Sequence, residues 1–384
     1  MRATPFLARM GPRVSLVAGE ERGRAPVQVR IERVTVPESM DADTDGAFAG
    51  FVDVGNDCAL HLWHNDDFVY DPADQLAWYR PSPFRVRMLY LARLDDVPTG
   101  RLIVTVPLEE DATTAEVEVH VIPAARRHGI GTALLRQGEE LVADAGRVDI
   151  STFTEHVIAD IPPGAQTVAP EAGPTGLPAD DVTRFALASG YRLGQVELVS
   201  RLSLPLTDAV RERLQSEADS RSGGYRIVTW WMRCPDELVD GYAAARARMV
   251  EDVPHDGIVL DPEHWDAERV REEEQRWIEA GEPALVAAAV HEATGDVVAY
   301  TILLVAQGSK KVEQWDTLVV GAHRGHRLGL AVKLANLRAL TSVAPGVERI
   351  LTWNAAENGP MLAINDALGF VPSALNGNWQ KHRD

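Results

Sequence analysis

The sequence predicts a mixed α/β protein, α+β in class, built as two copies of one domain. Three observations carry that expectation. Stretches of strand-type alternation and stretches of helical period follow one another through residues 27–384. Each half contains apolar strands spaced for hairpin pairing. A strand–turn–helix element occurs twice, at an offset of 198 residues, about half of the 384-residue chain.

Taken in order, residues 1–26 carry Gly, Pro and Arg with no period and are expected to form a disordered leader. The apolar residues at 6–18 are interrupted by Arg9, Pro12 and Arg13, so no export signal is expected there. A first ordered block opens on the alternation of residues 27–34 and closes on that of residues 198–205. Within it, residues 161–180 are rich in Pro, Gly and Ala and read as a loop excursion. A short helical pattern at 208–218 leads into Ser220-Arg221-Ser222-Gly223-Gly224, a hinge. The second block starts with a strand at 225–231. Helical patterns follow at 235–250 and 262–280, then strands at 284–291 and 297–305 joined by a turn at 292–296. The expected organisation is a leader at 1–26, a first domain at 27–205, a linker at 206–224 and a second domain at 225–384.

The repeated element decides the functional reading. In the first block an apolar strand ending at Val119–Val121 runs through Arg126-Arg127-His128-Gly129-Ile130-Gly131 into a helix that opens with Thr132. In the second, Thr317-Leu318-Val319 runs through Arg324-Gly325-His326-Arg327-Leu328-Gly329 into a helix carrying Leu330. Such a turn presents unpaired backbone N–H groups at a helix N-terminus, a cradle for anions. Glycines let a phosphate approach the backbone, and Arg126, Arg127, Arg324 and Arg327 offer charge-assisted contacts. No Gly-Lys-Ser/Thr follows, and no Gly-x-Gly-x-x-Gly is present, so neither a Walker A loop nor a dinucleotide fingerprint fits.

Arg-x-x-Gly-x-Gly after an apolar strand resembles the acetyl-coenzyme-A signature of the GNAT N-acetyltransferase superfamily. The second block departs from it, with Arg327 where the first glycine stands and Gly325 two positions earlier. The segment from Ile350 through Asn354 and Asn358 to Gly369-Phe370 resembles the strand, asparagine-led helix and Gly-Phe strand that close such a domain. The first block has a weaker counterpart at 148–153 and 185–191. The whole resembles the tandem GNAT arrangement common among actinobacterial proteins. It implies two GNAT domains, each a mixed, mostly antiparallel central sheet flanked by helices.

The resemblance implies acetyl-CoA, or another acyl-CoA, as the donor. Its pyrophosphate would lie on the turns, and its pantetheine arm along Val119–Val121 and Thr317–Val319. Direct transfer to an amine needs a base, and the candidates on the signature strands are Glu116 and Glu118 in the first domain and Glu313 and Asp316 in the second. Glu116 and Glu118 share one face of their strand, with Val117 and Val119 opposite. His120 and Thr317 are secondary candidates. The tyrosine many family members place four residues before Gly-Phe is Ala186 in one domain and Asn365 in the other, which leaves the general acid open; Tyr300 is a substitute. The intact closing element weights the second domain as catalytic.

Simpler roles stand beside these. A carboxylate on a strand is commonly a solvated side chain. His323 and His326 read as phosphate contacts or helix-capping residues, and no metal site is expected. Trp230, Trp231 and Trp315 serve a core as readily as an acceptor pocket. Asn354 and Asn358 fit a helix cap as well as a coenzyme contact.

Composition sets the limits. Thirty-eight basic against 57 acidic residues give a formal charge of −19, which opposes a nucleic-acid or anionic-membrane surface and suits a cationic substrate. No apolar run reaches the ~18–20 residues of a membrane span. Two distant cysteines, Cys58 and Cys234, make no disulfide scaffold or thiolate zinc site and fit a reducing cytoplasm. The expected partner is a small-molecule amine, and the expected state is a monomer or homodimer. The alternatives are an acyl-CoA-binding assembly protein without catalysis, or a protein acetyltransferase.

Overall fold

A computed structural model describes residues 15–19, 27–171, 173–252 and 257–383 of the chain. It divides into two compact units, one of residues 1–153 with 379–384, the other of residues 154–378.

In the first unit β1 (Ser15–Gly19) pairs antiparallel with β2 (Val27–Val34), so part of the expected leader is a strand. Then β2, β3 (Arg85–Leu94), β4 (Val97–Pro107) and β5 (Thr114–Val121) follow as antiparallel neighbours. β5 pairs in parallel with β6 (Asp149–Val157). Helices α1 (Ala47–Trp63) and α2 (Pro72–Tyr79) cover one face of this sheet. Phe48, Phe51, Val52 and Val54 of α1 meet Leu89, Leu91 and Ile103 in a buried cluster. Helix α3 (Ile130–Asp144) covers the other face, where Gly138 lets it sit against Val117 and Leu102. The period-2 rule then places Arg101, Ile103, Glu116, Glu118 and His120 on the α1 side.

In the second unit the expected excursion at 161–180 contains two short strands, β7 (Thr167–Val168) and β8 (Leu177–Pro178), which pair with each other. Helix α4 (Asp181–Ala188) follows, capped by the Asp180 carboxylate at the N–H groups of Val182 and Thr183. Then come β9 (Arg192–Ser203), α5 (Asp208–Asp219) and β10 (Tyr225–Trp231). The helical pattern at 235–250 resolves into α6 (Val239–Ala247) and α7 (Met249–Asp252), and that at 262–280 into α8 (Ala267–Glu279). Strands β11 (Ala284–His291), β12 (Val297–Leu304) and β13 (Lys311–Val319) continue an antiparallel series from β10. β13 pairs in parallel with β14 (Arg349–Ala355). Helix α9 (Leu328–Val343) lies between β13 and β14 in sequence; α10 (Gly359–Leu368) and β15 (Val371–His382) end the chain.

The units do not coincide with the repeat. β9, the last strand of the first half, lies between β14 and β15, with register pairs from Arg349–Ser203 to Ala355–Glu197. Residues 379–384, the end of the second half, belong to the first unit. There the Lys381 ammonium donates to both Glu139 carboxylate oxygens at 2.8 and 3.0 Å, and Arg383 N–H donates to the Val148 carbonyl at 2.8 Å. Apolar alternation marks β9 and β15 as strands but carries no information on which edge each will extend.

Candidate active site

Both signature turns have the same backbone. In the first, Arg127 and Gly129 take left-handed φ values of 67° and 78°; in the second, Gly325 and Arg327 take 88° and 55°. Each turn spends one glycine and one arginine on two left-handed positions, in opposite order. The cost of an arginine there is about 1 kcal/mol. The departure from the family pattern therefore changes which residue bears the strain, not the path of the chain. Gly129 and Arg327 are the N-caps of α3 and α9. A Cβ at Gly129 or Gly325 would meet nothing within 4 Å, so no side chain crowds the backbone at either position. Ile130, Leu328 and Leu330 anchor the helix starts in the core, leaving their amides for the turn. Gly131 and Thr132 lie in the first turn of α3.

The side chains around the two turns differ. In the first, Arg126 Nε donates to the Val121 carbonyl at 3.2 Å, and His128 Nδ1 lies 2.9 Å from the Arg126 carbonyl. In the second, Arg327 pairs with Glu217 of α5 at 2.7 Å, while Arg324 donates to the Asp252 carbonyl at 2.6 Å and meets its carboxylate at 3.4 Å. His326 Nδ1 faces the Arg221 carbonyl at 3.4 Å, and Tyr225 Oη lies 3.0 Å from His323 Nδ1. Carboxylates of this chain thus already neutralise the arginines of the second turn. Among the described residues no group of three or more His, Cys, Asp or Glu is placed to hold a metal ion. Gly329 is a packing residue: a Cβ there would stand 3.0 Å from Ile364 of α10.

Beside each turn the sheet opens. Parallel pairing of β5 with β6 ends at Glu116–Ser151, although β5 continues to Val121. Pairing of β13 with β14 ends at Gln314–Thr352, although β13 continues to Val319. Among the described residues no strand covers that edge of residues 117–121 or 315–319, so its backbone can hydrogen-bond an extended ligand arm.

The candidate bases fall into different environments. Glu116 and Glu118 lie half-buried under α1 and α2. Burial and then the neighbouring Glu118 charge push the Glu116 carboxyl up to about 7, against a lesser opposing effect of Arg87 and Arg85. Glu118 is raised as well, by burial, with Arg101 and Arg87 acting against it. Arg101 Nε donates to His120 Nδ1 at 3.3 Å, and its guanidinium stands over the Phe51 ring at 5.3 Å. Burial, together with that guanidinium, takes His120 down to about 3, so it is a neutral acceptor and no base for an ammonium.

In the second domain Glu313 is bound by Lys311 at 2.6 Å. Asp316 and Trp315 stand together opposite Ile302 in a β-bulge of β13, and Asp316 accepts from Arg246 of α6 at 3.2 Å. The Asp316 carboxyl is raised, chiefly by burial. Thr317 is buried in a hydroxyl pair with Thr301 at 2.7 Å and accepts from Gln314 Nε2 at 3.0 Å, while Leu318 is core. Tyr300 is fully buried and held well above the usual tyrosine value by burial, with Asp316 adding to the shift. Asn354 accepts from Asn365 at 2.6 Å, Asn365 accepts from Lys333 at 3.0 Å, and Asn358 caps α10 at the Met361 N–H. Asn358 thus serves the helix, and the residue in the family's tyrosine position faces a buried lysine.

Sequence reasoning missed Arg101, Arg87, Arg246, Lys333, Glu217 and Asp252. One signal was readable. Gly55 sits inside α1, where glycine is unfavourable, and a Cβ there would overlap the Arg101 guanidinium.

Comparison with known proteins bears on the family and the fold. Residues 56–159 match the family described as "Acetyltransferase (GNAT) family". The chain is 27% identical over 268 residues to a mycothiol acetyltransferase of Sanguibacter keddieii, covering 68% of this chain and 73% of that one. Among solved structures it resembles a tandem GNAT protein from the clavulanic acid biosynthesis pathway, with TM-score 0.67 and 24% identity over 92% of this chain and 98% of that one. A GCN5-related N-acetyltransferase from Sphaerobacter thermophilus superposes with TM-score 0.58 at 15% identity, covering 92% and 95%. At these identities the two structures speak for the fold.

Proposed function

We propose, from the match of residues 56–159 to the GNAT acetyltransferase family and the likeness of the chain's fold to a tandem GNAT protein, that its first domain transfers an acetyl group from acetyl-CoA to a primary amine of a small molecule. The observation that carries the reading is a coincidence of three features in one place. An open edge of β5, an anion-binding turn at Arg126–Gly131, and a carboxylate pair whose affinity for protons burial raises lie on a single strand–turn–helix element. The second domain keeps the backbone of this element, but its arginines and its strand carboxylates are engaged by the chain's own side chains. The family match, at residues 56–159, also falls on the first domain. The closing element, which by sequence favours the second domain, is outweighed by these pairings.

Acetyl-CoA, when bound, supplies an acetyl group already activated as a thioester. The residues present fit it: the backbone N–H groups at 127–131 with Arg126 would hold the pyrophosphate, and the edge of residues 117–121 the pantetheine arm. Glu116 then has the basicity to take a proton from an ammonium near pH 7, where a base with an ordinary carboxylate pKa would be too weak. Glu118, on the same face, keeps Glu116 basic and adds negative charge that attracts a cationic acceptor. Arg101 fixes His120 as an acceptor and lines the floor under α1.

Calorimetric titration of acetyl-CoA tests this reading. Wild type is expected to bind one equivalent, Gly131→Glu to lose binding by electrostatic repulsion, and His326→Glu, on the exposed second turn, to retain it. The reverse pattern moves the chemistry to the second domain. No binding to wild type overturns the transferase reading.

A further inference from the structure

In the second domain, the place over β13 that corresponds to the proposed acceptor site is already filled. Asp316 stands at the repeat position of Glu118. In the first domain the cation beside this position is Arg101 of β4, registered against His120. In the second, Tyr300 takes that place in the sheet, registered against Leu318. The cation comes instead from helix α6, whose Arg246 reaches down to the Asp316 carboxylate at 3.2 Å.

The surroundings of that guanidinium are those of a cation receptor. Its carbon lies 3.7 Å from the centre of the Trp265 ring, 5.8 Å from Trp277 and 5.9 Å from Tyr242. Tyr242 stacks edge-on against both Trp230 and Tyr300 at 5.3 Å. The Tyr242 hydroxyl is bonded to that guanidinium, whereas the Tyr300 hydroxyl and the indole nitrogen of Trp277 are buried without a hydrogen-bond partner. A core that needed only filling would place phenylalanine and leucine at these positions. Three rings on one guanidinium, a carboxylate, and buried polar groups left unsatisfied are what remains when a pocket shaped for a polar cationic guest is closed by a side chain.

We infer that the second domain retains a binding pocket for a guanidinium or primary alkylammonium group, formed by Asp316, Tyr242, Trp265, Trp277 and Tyr300, and that Arg246 occupies it as an internal ligand. The pocket recognises one monovalent cation by charge at Asp316 and by the ring faces. It does not depend on the transfer reaction assigned to the first domain, and no bond is made or broken in it.

Removing the internal ligand should create a site for an external one. The full-length Arg246→Ala variant is titrated with methylguanidinium chloride, with methylurea and sodium chloride as neutral and ionic controls. Thermal unfolding and tryptophan fluorescence are followed. The variant is expected to melt below wild type, and methylguanidinium at tenfold its Kd to restore its Tm by on the order of 3 °C. Fluorescence should saturate with one site. Wild type should show neither effect, and Arg246→Ala/Asp316→Asn should lose at least tenfold in affinity. If Arg246→Ala does not fold, Arg246→Gln keeps a chain over Trp265 without the charge and carries the same titration. Absence of saturable binding in both variants, equal binding by methylurea, or equal binding by wild type overturns the inference. Because the readout is ligand-dependent melting rather than turnover, its failure leaves the first-domain assignment untouched, and loss of acetyl-CoA binding leaves this pocket untouched.

Discussion

Glu116 and Lys333 show how burial, rather than residue type, sets chemistry. Glu116 is raised to about 7, so its ionised fraction, and with it kcat/KM, is expected to rise with pH through about 7 and then level off. Glu116→Gln should lower kcat by 10²–10⁴-fold, in the ordinary range for removal of a base, and abolish that rise. The stability effect has the opposite sign. A carboxyl whose folded pKa is raised holds its proton more firmly when folded, so its contribution falls as pH climbs from the usual carboxylate range to about 7. Glu116→Gln should therefore melt higher than wild type at pH 8 and nearly alike at pH 4; equal shifts at both would reject the assignment.

Lys333, buried on α9 and donating to Asn365 Oδ1 at 3.0 Å, is lowered to about 7 by burial. A lysine lowered in this way has its full destabilising effect below pH 7, and the effect fades as pH rises toward 10.5, where the unfolded chain also deprotonates. Lys333→Met should raise stability by on the order of 1 kcal/mol at pH 6 and by less at pH 9, read by denaturant unfolding.

Elements differ in how much of their role lies in their own residues. The strands at 225–231 and 284–291 have the boundaries that alternation and the flanking turns indicate. The helix expected at 235–250 does not start until Val239 and breaks between α6 and α7, a division that the sequence pattern does not mark. The two signature turns are a sharper case. Arg-x-x-Gly-x-Gly and its scrambled copy read as a sound cradle and a doubtful one, yet both adopt the same pair of left-handed residues. Their side-chain neighbours are particular to each: Glu217 from α5 and Asp252 from α7 pair with the arginines of the second. Asn358 belongs to this scale too, since its side chain ends the loop and begins α10. Asn358→Ala is expected to cost about 1 kcal/mol in denaturant unfolding without a change in acetyl-CoA affinity. A loss of affinity would give Asn358 a coenzyme contact.

At the scale of the whole chain, the repeat and the compact units are offset. β9 belongs to the first half by sequence, but its partner over the whole register is β14 of the second half. A fragment of residues 27–222 ends with an unpaired β9, and a fragment of residues 223–384 leaves β14 without that neighbour; such bare edges aggregate. Each fragment expressed alone is expected to be largely insoluble, whereas co-expression should yield a soluble pair, assayed by size-exclusion chromatography. A fragment 27–222 that unfolds cooperatively and binds acetyl-CoA by itself would show that the exchanged strand is dispensable. The absence of a long apolar segment is equally a property of the whole: no described helix is long and apolar enough to cross a membrane.

The sequence by itself determined the mixed α/β class, the two-fold repeat, the positions of both signature turns and the presence of Glu116 and Glu118 on one strand face. All of these are local or periodic, set by side-chain alternation and by residues adjacent in the chain. Only the tertiary structure shows which cations meet the strand carboxylates of each repeat. Asp316 looks as competent as Glu118 until α6, some 70 residues away, delivers Arg246 to it. Glu116 looks like a solvated carboxylate until α1 and α2 cover it and raise its pKa. Burial and pairing across long sequence separations depend on packing, and packing leaves no period in the chain to read.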